Sequence, residues 1–207
     1  MGNAPKALDL CSDGLGRVAN IVRSMKEFAH PDARQMTSVD LNRAITSTLT
    51  VASNEYKYVA DVETELGELP LATCFAGEIN QVLLNIIVNA AHAIADVVAG
   101  TTQRGRIAVK TRHAGDQVII SISDSGGGIP DHARDKIFDP FFTTKPVGKG
   151  TGQGLAIARS IVEKHDGAIE FDSVPGRGTT FIVRLPIAGP HQAGDPPAQN
   201  DRVSMSP

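Results

Sequence analysis

EINQVLLNIIVNAAHAIADVV, residues 78–98, is the stretch on which the reading of this chain turns. Most of its positions are apolar. The polar exceptions are Glu78, Gln81, Asn85, Asn89, His92 and Asp96, with Asn80 standing apart. Apart from Asn80, they recur every three or four residues, so on a helix they form one stripe along a side that is otherwise buried. The plain reading is the solvent face of an amphipathic helix. A solvent face more often carries Lys and Glu, however, and Asn is a poor helix former. A buried amide without a partner costs roughly 1–3 kcal/mol. Two Asn one turn apart therefore point to a polar cleft. An Asn carbonyl is a neutral, hard oxygen ligand of the kind Mg2+ prefers.

Downstream, two segments alternate with a period of two. Ile107, Val109 and Thr111 interleave with Arg106, Lys110 and Arg112; Val118, Ile120 and Ile122 interleave with Ser121 and Ser123. Gly115-Asp116 between them makes a hairpin. Asp124-Ser125-Gly126-Gly127-Gly128-Ile129-Pro130 follows. An Asp at a strand end can accept a hydrogen bond from an exocyclic amine such as adenine N6, and glycines let backbone approach a flat ring; alone, the segment reads first as an ordinary Asp-Gly turn. Gly148-Lys149-Gly150-Thr151-Gly152-Gln153-Gly154-Leu155 leads into a helix predicted from Gln153 to His165. Free N–H groups and the dipole at a helix start make an anion site, and Lys145 and Lys149 add positive charge. The pattern is neither a Walker A loop nor a dinucleotide fingerprint. Between the glycine segments, Phe138, Phe141 and Phe142 either pack as core or anchor a lid. A last hairpin joins 169–173 to 179–185 around Pro175-Gly176.

Upstream, a helix is expected from the N-cap Asp40 to about Glu55, and a strand from Val59 to Glu65. Leu8, Cys11, Leu15, Val18, Val22, Met25 and Ala29 form a heptad seam, ended by Pro31 after His30. One helix cannot bury its own seam, so a partner helix is expected. After Pro186 the composition suggests a disordered tail. Three regions follow: residues 1–32 as a helix of a hairpin, 33–187 as the main domain, and 188–207 as tail. Helices alternating with hairpins, without repeated βαβ units, indicate an α+β fold, a two-layer α/β sandwich with a long N-terminal helix.

Composition agrees. The 207 residues are 41% hydrophobic but only 4% aromatic, so the core is aliphatic. A net charge of −3 argues against a broad nucleic-acid surface. Cys11 and Cys74 have no zinc spacing and read as reduced thiols. Asn85 and Asn89 interrupt the longest apolar run, so no bilayer span is expected. The first residues lack the basic and apolar regions of a signal peptide, so none is expected there. The chain is expected in the cytoplasm, any membrane anchor lying upstream of this sequence.

Together, the order and spacing resemble the catalytic domain of two-component sensor histidine kinases. Asn85 to Asn89 resembles the N box, Asp124 to Gly128 the G1 box, Phe138 to Phe142 the F box, and Gly150, Gly152 and Gly154 the G2 box. The resemblance implies the Bergerat fold, shared with gyrase-type ATPases, heat-shock 90-type chaperones and mismatch-repair ATPases. It implies that Asn89 ligates an Mg2+ bridging the phosphates of ATP and that Asp124 reads adenine N6. Gly126 and Gly128 would line the base pocket, and Ile129 and Phe142 would also contact the nucleotide. Gly152 and Gly154 would wrap the triphosphate, Lys149, Gly150, Thr151 and Leu155 would also contact the nucleotide, and Thr179 and Thr180 would lie beneath the adenine. Asn85 stands where the hydrolysing branches carry a Glu base, which favours kinase over ATPase. His92 replaces a Lys common in the family and is expected near phosphate, as is Lys145, and with Asn85 these two are the expected catalytic residues.

The family's phosphoacceptor is a His followed by Glu or Asp on the first helix of a dimerisation hairpin. Of His30, His92, His113, His132, His165 and His191, only His165 precedes an acid, and it ends the helix after the G2 box. The heptad segment resembles the second helix of that hairpin. The acceptor helix is therefore expected on a segment outside this chain. A homodimer through the N-terminal helix and a response-regulator receiver domain are the implied partners. Two alternatives share the fold: a degenerate regulatory ATP-binding module, and a Ser/Thr kinase of the anti-sigma-factor type.

Overall fold

The protein is described here from a computed structural model covering residues 35–144 and 152–189. In chain order it runs β1 (Thr37–Val39), α1 (Leu41–Tyr56), β2 (Ala60–Leu66), β3 (Ala72–Cys74), α2 (Ala76–Val98), β4 (Gly105–Ala114), β5 (Gln117–Asp124), a 3-10 helix (Asp131–Lys136), α3 (Gly154–Lys164), β6 (Ala168–Val174) and β7 (Gly178–Pro186). The heptad segment Leu8 to Ala29, and residues 190–207 of the expected tail, lie outside the described residues. Ile187, the last residue of the expected main domain, is tied to β3: the Thr73 N–H donates to its carbonyl at 2.9 Å.

Each element follows from local chemistry. Asp40 caps α1, its carboxylate accepting from the Arg43 N–H at 3.1 Å. Three threonines in α1 return their hydroxyls to the carbonyl four residues back, so even the fully buried Thr48 is satisfied, by Ala44. The predicted hairpins form with Gly115 and Gly176 at positive φ in their turns. The main sheet has the order β2-β4-β5-β7-β6. Its neighbours are antiparallel except β2 and β4, which are parallel. That parallel pair departs from the all-hairpin expectation, and α2 is the reason: parallel neighbours need a crossover between them. Strands β1 and β3 pair antiparallel in a second, two-stranded sheet. Each has three residues, too few to show a period.

The helices cover one face of the main sheet. Ile107, Val109, Val118, Ile120, Ile122, Phe181, Val183 and Leu185 point into them, all buried. The other face carries exposed ion pairs: Arg106–Glu63 at 3.1 Å, Arg184–Glu170 at 3.3 Å and Lys110–Glu65. Such pairs contribute less than about 1 kcal/mol each, so the aliphatic layer sets the stability, at roughly 1.5–3 kcal/mol per fully buried side chain.

Helix α2 buries Ile79, Val82, Leu83, Ile86, Ile87, Ala90, Ala91 and Ile94. Its 23 residues and mean hydropathy of 1.5 suffice for a membrane span by length and composition, contrary to the expectation from Asn85 and Asn89. Packing accounts for that apolarity: α2 contacts α1, α3 and the sheet, and needs apolar residues on nearly every side. Beneath it, burial pushes the Cys74 thiol up to about 12, so it stays protonated and inert at neutral pH.

Candidate functional site

The polar stripe of α2, the end of β5 and the start of α3 converge on one cavity of about 460 Å³. From α2 come Asn85, Val88, Asn89, His92 and Ala93; from the β5 end, Asp124, Gly128 and Ile129; from the loop before α3, Phe142, Thr143, Thr144 and Gly152. Gly154, Leu155 and Thr179 complete the polar and backbone lining. Ala133, Ile137 and Phe181 form an apolar wall that the sequence reading did not include.

Asp124 is the pole of one end. Its carboxylate accepts from the Gly126 N–H at 2.8 Å and from the Thr179 backbone N–H. Burial pushes its pKa upward, and those two donors oppose the shift. Gly126 itself lies behind the wall, against Ala93. Gly128 has φ +71, and a Cβ there would stand 2.4 Å from the Val174 carbonyl oxygen. Only glycine satisfies both conditions. Replacing Gly128 with Ala is expected to destabilise the protein by at least about 2 kcal/mol, read as a lower denaturation midpoint. Ser173 locks the same loop. Its hydroxyl is buried, receives the Ile129 N–H at 2.8 Å, donates to the Gly178 carbonyl and lies 3.0 Å from the Thr179 hydroxyl. The signal was present in the sequence: on β6, Ile169, Phe171 and Ser173 share the inward face, and a serine there calls for a partner.

The other pole is the start of α3. Its N-cap, Gln153, makes no side-chain capping bond, so the first-turn N–H groups at Gly154 and Leu155 are available to a ligand. Asn85 belongs to the wall here: its Nδ2 donates to the Gly154 carbonyl at 3.0 Å. His92 sits at the mouth, its Nε2 3.6 Å from the Glu55 carboxylate on α1.

The three phenylalanines separate into three roles. Phe138 packs edge-on against Phe171 and Phe181 at 6.0 and 6.5 Å, with the Arg159 guanidinium 5.5 Å above its ring. Phe142 lines the cavity. Phe141 is 72% exposed and left-handed, at φ 67, held by its N–H to the Gly152 carbonyl at 2.9 Å. Gly152 must be glycine for that contact: it has φ +66, and a Cβ would lie 2.5 Å from the Phe141 carbonyl carbon.

Thr180 does not face the cavity. Its hydroxyl lies 2.8 Å from that of Ser123; both residues point to the outer side of the sheet, because Thr179 and Thr180 are neighbours on one strand and only one can point inward. Lys145, Lys149, Gly150 and Thr151 lie outside the described residues. Among the described residues, no cluster of three His, Cys, Asp or Glu exists to hold a metal. The donor set, amide oxygens beside an anion site, suits a hard cation that arrives with phosphate ligands of its own.

Three comparisons bear on this geometry. Residues 76–189 match the model of the family described as histidine kinase-, DNA gyrase B-, and HSP90-like ATPase. The chain is 35% identical over 176 residues to the signal transduction histidine-protein kinase AtoS of Escherichia coli, spanning 82% of this chain and 27% of that protein. It is 37% identical to the sensor histidine kinase ZraS of Klebsiella oxytoca, over 84% of this chain and 36% of that one. The chain thus spans about a third or less of these relatives. The nucleotide-free catalytic domain of the histidine kinase ThkA superposes with a TM-score of 0.63 at 30% identity, over 74% of this chain and 97% of that one.

Proposed function

The chain belongs to the family of histidine kinase-, DNA gyrase B- and HSP90-like ATPases, and on that premise we propose that it binds Mg-ATP in the cavity and supplies the catalytic domain of a sensor histidine kinase. One observation carries the reading: Asn89, Asp124 and the N-terminus of α3 line a single cavity. Adenine fits the Asp124 end, where a carboxylate accepts from N6 and Gly128, Ile129 and Phe181 offer flat apolar contact. The triphosphate fits the α3 end, where orphan N–H groups and the helix dipole favour anions. Asn89 faces the same space and would hold Mg2+, which neutralises phosphate charge when bound.

Phosphoryl transfer of this kind is mostly positioning and charge stabilisation. Asn85 supports transfer over hydrolysis, because its amide is spent on Gly154 and an amide does not take a proton from water. The acceptor imidazole lies on another segment. Within this chain the only His before an acid is His165, which is 1% exposed and has both ring nitrogens engaged. In the full protein the heptad segment would pair with its copy, and phosphate would pass to a response regulator on the cytoplasmic side.

The test is incubation with γ-labelled ATP and Mg2+. The chain alone stays unlabelled. When a dimerisation hairpin bearing a His-Glu or His-Asp pair is added, acid-labile label appears on that histidine. Acid-labile label on the isolated chain would overturn the placement of the acceptor. Acid-stable label on a partner serine would indicate a Ser/Thr kinase, and failure to bind any ATP analogue would leave a regulatory module.

A further inference from the structure

Helix α3 is tied to α2 at both of its ends, and one of the two ties touches the cavity. At the near end Asn85 Nδ2 donates to the Gly154 carbonyl. At the far end the Phe75 N–H donates to His165 Nε2 at 3.1 Å, and His165 Nδ1 lies 2.7 Å from the Ile161 carbonyl oxygen. Since Nε2 accepts, Nδ1 carries the hydrogen and donates. The ring has no direct access to solvent and meets Phe75 edge-on, with centroids 5.6 Å apart. Phe75 is the N-cap of α2, so its N–H is one of the donors that a helix start leaves unpaired. His165 is the C-cap of α3. One imidazole therefore closes the start of one helix against the end of the other.

The spacing of the two ties matters. Phe75 to Asn85 on α2 and Gly154 to His165 on α3 each span about 15–17 Å of helix. The helices run antiparallel, and the two rungs match in span. Two directional rungs fix how far α3 sits along α2. The apolar contacts of Ala158, Ile161 and Val162 are non-directional and resist axial slip weakly. The Lys164–Glu78 pair, 2.6 Å apart beside the far rung, is a further tie between the helices; its lysine is half-exposed, which screens the pair, and it remains in place when His165 is changed.

We propose that His165 is a positioning residue for triphosphate binding: by fixing the axial register of α3 against α2, it holds the N–H groups at Gly154 and Leu155 in the cavity they share with Asn89. The inference rests on the nucleotide reading above. It also predicts selectivity. The Asp124 end is built from β5, β7 and the loop locked by Ser173, and the hydrogen bonds that hold it are made within those elements, not to α3. Loss of the far rung should therefore weaken the hold on phosphates and spare the hold on adenine. A purely structural histidine would affect both alike.

The experiment measures binding of Mg-AMPPNP and of adenosine to the full chain by calorimetry. His165→Phe keeps a ring against Phe75 but removes both hydrogen bonds. It should lower affinity for Mg-AMPPNP about fivefold, the net worth of one directional bond, and leave adenosine affinity unchanged. His165→Gln, whose Oε1 can stand in for Nε2 and accept from Phe75, should recover most of the loss, whereas His165→Asn, which reaches only the Nδ1 position, should not. If His165→Phe fails to fold, the Gln and Asn variants decide the matter between them. Equal losses for both ligands, or no loss for either, would overturn the inference and leave the nucleotide reading standing. A wild-type chain that binds neither ligand would overturn that reading, and the inference with it.

Discussion

Replacing Asn89 with Ala should lower affinity for Mg-ATP by on the order of 100-fold, because even indirect supports of a metal site are worth roughly 10–100-fold. The fold should survive. Asn89 is half-buried, and none of the surrounding hydrogen bonds described above relies on it. Ala is also the better helix former by several tenths of a kcal/mol, so thermal stability should hold or rise slightly. The decisive comparison is between wild type with and without Mg2+ and the variant under both conditions. Removing Mg2+ from the wild type should collapse its affinity to near the variant's value, while the variant should barely respond. An Asn89→Ala protein that keeps a full Mg2+ dependence would remove Asn89 from the metal's coordination and leave the proposed site without a ligand.

The polar cleft is legible before any coordinates because Asn85 and Asn89 fall in a polar stripe on an otherwise apolar helix, while the choice of Asn89 as the metal ligand comes from the resemblance to the family. The same holds for Asp124: the strict alternation of Val118, Ile120 and Ile122 carries its side chain to the inner face. Parity misled only where it went unused. The resemblance places Thr179 and Thr180 together beneath the adenine, although Phe181, Val183 and Leu185 fix odd positions as inward on β7. Other features left no periodic trace. Ala133 and Ile137 reach the cavity from a short 3-10 turn and the residue after it, where helix and strand periods do not apply. The parallel pairing of β2 with β4 is a property of the α2 crossover, and neither strand's sequence carries it. In the sequence His165 stands out for the acid beside it, whereas in the fold it joins two helix ends 90 residues apart. Local pattern shows which face a residue takes; it does not show which distant backbone group awaits it.

Asp124→Asn should separate stability from function in opposite directions. Burial raises the Asp124 carboxyl above its ordinary value, and the N–H groups of Gly126 and Thr179 offset only part of that. A carboxyl whose folded pKa lies above its unfolded one favours the fold most when protonated, below the unfolded value near 3.9. That favourable contribution is lost as pH rises through the folded pKa, so at neutral pH the ionised side chain burdens the empty protein. Asn cannot ionise, yet keeps an oxygen for the Gly126 N–H. The variant should therefore melt higher than wild type at pH 7, and the gap should close as the pH falls through the carboxyl range. Nucleotide binding should move the other way. A hydrogen bond to a charged acceptor is worth about 1.5–3 kcal/mol, so ATP affinity should drop roughly 10- to 100-fold. The preference for a 6-amino over a 6-oxo purine should shrink with it, since an amide presents a donor as readily as an acceptor. Melting curves across pH and paired titrations with ATP and ITP read both effects. A variant that melts lower at pH 7, with ATP selectivity intact, would mean that Asp124 serves the fold and that the adenine is read elsewhere.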